Sequence, residues 1–236
     1  MAANMTEASS TSRPRSTALD ALRGLAVILM VIFHATYDFR MYNLNRVNFQ
    51  EGFWFGLPRL IVFIFLWCVG ASLQITHGEG VRWKSYNKRL LKLVALAGVI
   101  SFATWWFFPE TWVYMGTIHC IAGVSILALP FLSYPQARWP VLILILLGQY
   151  ALGLDIAWTA QFFPHYSMDF IPVYPWFWVT LLGMLTGPAI LRRLPSQFPG
   201  QALFVWPGQE ALKIYLLHQP LIYGGLWVWR SLLGRF

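Results

Sequence analysis

Charge is what this chain lacks most. Of its 236 residues only 11% are Asp, Glu, Lys or Arg, against roughly 25% in an ordinary soluble domain. So few charges cannot cover a water-facing surface, which excludes a soluble globule. Acidic residues are the scarcer sign, 9 against 17 Lys and Arg. Cysteine is nearly absent too: Cys68 and Cys120 both fall inside apolar segments, which excludes a disulfide framework and reads as two buried thiols. No His-x-x-x-His or Glu-x-x-His spacing is present, so no metal is expected. Gly78-Glu79-Gly80 is followed by neither Lys-Ser/Thr nor a dinucleotide pattern, so no phosphate loop is expected. Residues 1–18 are polar and lack an apolar core ahead of a small-residue cleavage site. Residues 1–17 are expected to form a disordered cytoplasmic tail, and residues 18–236 a single transmembrane helical domain.

What the chain has in abundance is apolar and aromatic surface: 58% hydrophobic residues, with 13 Trp, 10 Tyr and 18 Phe. That composition belongs in a bilayer with aromatic belts at its interfaces. A span needs about 20 mostly apolar residues, and seven candidates satisfy this: 19–40, 54–76, 88–108, 114–134, 139–156, 172–191 and 210–230. The expected fold is all-α and polytopic, with 157–171 lying along the interface. No internal repeat is visible.

The net charge of +8 is read as the excess of Lys and Arg in cytoplasmic loops rather than as a nucleic-acid surface. The 77–92 connection carries Arg82, Lys84, Lys88, Arg89 and Lys92 and is placed inside; the N-terminus with Arg13 and Arg15, Arg138, and Arg192–Arg193 then fall inside as well. Arg40, Arg46, Arg230 and Arg235 run mildly against this N-in, C-out arrangement.

Ionisable groups inside such spans are expensive and point to a polar interior. The first span begins Leu19-Asp20-Ala21-Leu22-Arg23-Gly24 and later carries His34 and Asp38. At a rise of about 1.5 Å per residue, His34, Asp38, Arg59, His119 and Asp169 fall in the outer half, and His218 near mid-membrane. Residues from separate helices thus meet at similar depth, which predicts an outward-opening polar cavity. His34 with Asp38 at i+4 has the best chemistry within it, since a carboxylate one turn away fixes an imidazole tautomer and stabilises the imidazolium. At the inner face, Arg23, Lys84, Lys88, Arg89 and Lys92 form a basic rim, read either as a nucleotide-diphosphate site or as ordinary positive-inside charge.

Four segments in order, Leu19–Gly24, Gly116-Thr-Ile-His119-Cys-Ile-Ala122, Asp169-Phe-Ile-Pro-Val-Tyr-Pro175-Trp176 and Ile214-Tyr-Leu-Leu-His218-Gln-Pro220, carry a resemblance. The chain resembles the bacterial membrane family grouped with the catalytic domain of heparan-α-glucosaminide N-acetyltransferase, from about residue 16 to 230. The opening segment also resembles membrane acyltransferases that decorate surface glycans. The resemblance implies acyl transfer from cytosolic acetyl-CoA to an amino sugar or glycan on the far side of a bacterial inner membrane. It implies that Arg23, Lys84, Lys88 and Arg89 hold the donor's phosphates. His34 would be base or transient acyl carrier, with Asp38 orienting it; Arg59, His119, Asp169 and His218 would position acceptor and oxyanion. One departure stands out: the lysosomal relative pairs an Asn in the first helix with a His in the first lumenal loop. Here the helix position is His34, the loop position falls near Asn45, and no His occurs in 41–53. A proton-linked transporter and a non-catalytic assembly protein are the competing readings, and the oligomeric state is left open.

Overall fold

The computed structural model describes residues 16–163 and 165–232, so the expected tail lies almost wholly outside the described residues. The chain is all-helical: α1 Thr17–Met41, α2 Gly52–His77, α3 Trp83–Phe107, α4 Thr117–Leu127, α5 Leu129–Ser133, α6 Arg138–Ala151, α7 Ile156–Ala160, α8 Val173–Arg193, α9 Gln201–Gln209 and α10 Ala211–Leu232. A single backbone bridge, Met115 to Phe170, is the nearest thing to a strand among the described residues. Among the described residues four helices, α1, α2, α3 and α8, are long and apolar enough to cross a membrane.

Local chemistry sets the ends. The Ser16 side chain accepts from Leu19 N at 3.3 Å, and Asp20 sits in the first turn of α1, where a carboxylate complements the helix dipole. Three expectations need correction. The basic stretch after α2 is mostly helix rather than loop, because α3 already begins at Trp83 and carries Lys84, Lys88, Arg89 and Lys92. The span expected over 114–134 is broken into α4 and α5, whose second residue is Pro130, a residue that cannot donate to the preceding turn. The short α9, with Pro207 inside it, was not anticipated from the apolar pattern.

Packing ranks the helices. Within its most apolar window α2 is 61% buried and α3 only 11%, so α2 is the central helix and α3 a peripheral one. The hydrophobic effect does not drive helices together in lipid, so close van der Waals approach must. Small residues supply it at two crossings. A Cβ on Gly183 would lie 2.2 Å from the Trp67 carbonyl oxygen, and one on Gly187 2.3 Å from Ala71 Cβ, which joins α8 to α2. A Cβ on Gly208 would lie 1.7 Å from the Asp20 carbonyl oxygen, so α9 rests directly on the backbone of α1.

These contacts define two ends. At the first, where α1 starts, Ser16, Gln74, Gly78, Pro188 and Arg192 line one cavity, and Arg138 reaches from α6 to Gln74 at 2.7 Å. At the second, α1 ends beside the middle of α10: His34 meets His218, Asp38 meets Gln219, and the rings of Tyr42 and Tyr223 lie 5.9 Å apart. Partner numbers rise together along both helices, so α1 and α10 run in the same direction.

Candidate functional site

The strongest constellation lies where α10 passes the second half of α1. His34 Nδ1 is 2.9 Å from the Met30 carbonyl, one turn back on its own helix. Nε2 of His218 stands 3.3 Å from that same Nδ1, with ring centroids 4.8 Å apart. His218 turns its own Nδ1 onto the carbonyls of Tyr215 at 2.7 Å and Ile214 at 3.1 Å. A carbonyl oxygen only accepts, so in the neutral rings both Nδ1 atoms carry hydrogen and both Nε2 atoms carry a lone pair. The His218 lone pair faces His34. The His34 Nε2 has no hydrogen-bond partner among the described residues, and the side chain is only half-buried.

Asp38 does not orient His34, which corrects the expected His/Asp dyad. Buried at 3% exposure, its two carboxylate oxygens each accept from Gln219 Nε2 at 3.1 Å. The i+4 spacing put both residues on one face, but α10 supplies a separate partner to each. The amide oxygen of Gln219 is sealed from solvent without a partner. Gln219 was missed at the sequence level; its only signal was adjacency to His218.

A second polar cluster sits at the start of α4, and its geometry is that of a brace. His119 Nδ1 accepts from Gly116 N at 3.2 Å, which places the ring hydrogen on Nε2, 2.9 Å from Ser101 Oγ; that hydroxyl donates to the Val113 carbonyl at 2.8 Å. Both ring nitrogens of His119 are occupied. Asp169 Oδ2 accepts from Thr117 N at 2.9 Å, Thr117 Oγ1 at 3.3 Å and Tyr215 OH at 3.4 Å. A Cβ on Gly116 would lie 2.6 Å from that oxygen, so only glycine lets the carboxylate reach the free N–H groups of the helix start. Burial pushes the Asp169 carboxyl above its ordinary value, against smaller opposing pulls from the Thr117 and Tyr215 bonds and His119. Tyr215 lies 5.8 Å, centroid to centroid, from His218, so this brace also holds the α10 segment that carries the imidazole pair.

Arg59 is not brought to either cluster. It is exposed, donates to the Phe55 carbonyl at 2.5 Å and stacks over the Phe55 ring at 3.9 Å. Asn45, at the loop position where the lysosomal relative has a histidine, donates to the Thr36 carbonyl at 2.8 Å and accepts from Val47 N at 3.1 Å. It braces the turn after α1.

At the first end the basic rim divides. Lys84, Lys88 and Lys92 follow one another at i+4 and are exposed, opposite the buried Tyr86, Leu93 and Ala97. Arg89 lies toward the buried face, half-buried, with no hydrogen bond or carboxylate partner among the described residues. Arg23, paired with the buried Asp20 at 3.3 Å, stands within Coulombic range of it. The cavity of about 440 Å³ at this end and an apolar groove of about 870 Å³ along α6, α7 and α8 are lined by none of Arg23, Arg89, His34 or His218.

Fold and composition define a helical membrane protein that carries ionisable side chains between its spans. The family model described as heparan-alpha-glucosaminide N-acetyltransferase, catalytic, matches residues 15–220. The chain belongs to that family, a membrane acetyltransferase family. No curated protein and no solved structure matches it.

Proposed function

We propose that the chain is an integral-membrane acyltransferase of a bacterial inner membrane. It takes an acetyl group from acetyl-CoA at the cytoplasmic end and delivers it to an amino sugar or surface glycan at the outer end. The observation that carries this reading is the His34 Nε2 lone pair, left open while Nδ1 is held by Met30 and His218. An imidazole fixed at one nitrogen and free at the other suits a general base, which takes the proton of the acceptor as it attacks the thioester carbon. Asp38 and Gln219 hold the wall beyond it.

Arg23 and Arg89 are the donor end in this reading. An arginine without a carboxylate, beside a second one, suits phosphate oxygens, whereas the exposed lysines suit ordinary positive-inside charge. Eleven residues separate Arg23 from His34, about 16 Å of helix, so α1 is the line that connects donor and acceptor ends. Seven crossings with the N-terminus inside fit this: α1, α2, α3 and α8, together with α4–α5, α6 and α10. Residues 18–236 then act as one domain in the bilayer, without nucleic acid.

The test uses the full chain in liposomes, acetyl-CoA labelled in the acetyl group, and D-glucosamine as probe acceptor. The expected result is labelled N-acetylglucosamine from the wild type, a raised KM for acetyl-CoA in R89Q, and loss of turnover in H34A. Transfer that is absent from the wild type, or equal in H34A, overturns the proposal.

A further inference from the structure

The imidazole pair has a direction. Each ring keeps its Nδ1 hydrogen on a carbonyl, and the His34 hydrogen is shared between Met30 O at 2.9 Å and the His218 Nε2 lone pair at 3.3 Å. His218 is the better anchored partner: its Nδ1 faces two carbonyls, the residue is buried at 9% exposure, and Tyr215 beside it is tied to Asp169. A proton arriving at His218 Nε2 therefore creates an imidazolium whose other N–H already points at two acceptors, the arrangement that stabilises the charged ring. The titratable groups around it are His34 from α1, Tyr215 on its own helix with Asp169 behind it, and Asp38 through Gln219.

We infer that His218 is a proton relay for His34, a positioning residue that acts through it, and this rests on the acyl-transfer reading above. As the lone pair of the acceptor nitrogen or oxygen forms its bond to the acyl carbon, its proton passes to His34 Nε2. The His34 Nδ1 proton moves to His218 Nε2, which leaves His34 neutral with hydrogen on Nε2. The carbon–sulfur bond breaks with its electron pair on sulfur. The proton stored on His218 returns through His34 to the thiolate or to water, which restores both rings. No charge accumulates on His34 beside the acceptor, and none is lost.

A purely structural His218 makes a different prediction. Asn or Gln in its place still offers an amide N–H to the carbonyls and an amide oxygen to His34 Nδ1–H, but neither takes a proton. The experiment measures acetyl-CoA and glucosamine turnover by the full chain in liposomes, across mixtures of light and heavy water. The wild type is expected to give a bowed proton inventory, two protons moving together. H218N and H218Q are expected to lower kcat on the order of tenfold or more, with KM for acetyl-CoA unchanged and a linear inventory. Unchanged kcat in either folded variant overturns the relay while acyl transfer stands. A linear inventory in the wild type does the same without needing any variant to fold. A wild type that consumes no acetyl-CoA overturns the acyl-transfer reading and the relay with it.

Discussion

His34 and His119 lie in similar surroundings in the sequence, each on an apolar helix, yet the fold engages their ring nitrogens in opposite ways. His119 has a donor on one ring nitrogen and an acceptor on the other, and the chain Gly116–His119–Ser101–Val113 closes on backbone groups at both ends. His34 has one nitrogen engaged, by Met30 and His218, and the other open. A closed chain fixes a helix start; an open one has a site left for a substrate. The difference lies in what the neighbouring helix offers, since intrinsic imidazole chemistry is the same at both positions.

The sharpest way to break that comparison is to remove each ring in turn. H34A is expected to lower kcat for acetyl-CoA with glucosamine by about 10²–10⁴, the range of a lost general base. H119A is expected to leave the rate per folded molecule within a few-fold. Purified variants in liposomes, normalised to folded protein by gel filtration, decide it. An H119A loss as large as that of H34A would place both rings in the chemistry and end the contrast.

Stability is expected to rank them the other way. H119A removes the acceptor of Gly116 N–H and the donor to Ser101 Oγ, which keeps its own bond to the Val113 carbonyl, and D169A removes the acceptor of Thr117 N–H. Buried donors left without partners cost about 1–3 kcal/mol each. The ring of His34 makes only a shared hydrogen bond, whose net loss is about 0.5–1.5 kcal/mol. Unfolding midpoints in detergent micelles check this: H34A should be the mildest of the three. If it is instead the most destabilised, the His34–His218 contact is chiefly structural.

Spacing along each helix was legible in the sequence and rotation was not. A fixed rise per residue places His34, His119, Asp169 and Arg59 at similar levels, but which face each presents depends on how the helices turn against one another. Arg59 shows the gap, since it is exposed and turns onto Phe55 of its own helix. So does Asp38, which shares a face with His34 but receives Gln219. Ser101, Thr117, Tyr215 and Gln219 had no signal of their own, because neutral polar residues in spans are common and their partners lie on other helices. The all-helical class followed from the length of the apolar runs, and the crowding of ionisable groups on α1 from their positions in the first run; α9 did not, because a nine-residue helix with Pro207 gives no sustained apolar period.

The smallest expected effect is a slope with pH. Burial raises the Asp169 carboxyl above the ordinary value, so the folded state holds that proton more tightly than the unfolded chain. The stability this gives is fully present below the unfolded carboxylate range, near pH 4, and is lost as pH rises through the folded value. D169N keeps an oxygen for Thr117 N–H and has nothing to titrate. The wild type is therefore expected to lose stability relative to D169N as pH rises from about 4, read as the difference in unfolding midpoint between the two. A difference that is flat, or that favours the wild type at higher pH, would mean that Asp169 works as an anion on the dipole of α4. The brace would then be held by charge, and salt and pH would reach through Tyr215 to the imidazole pair, so the two histidine sites would no longer be independent.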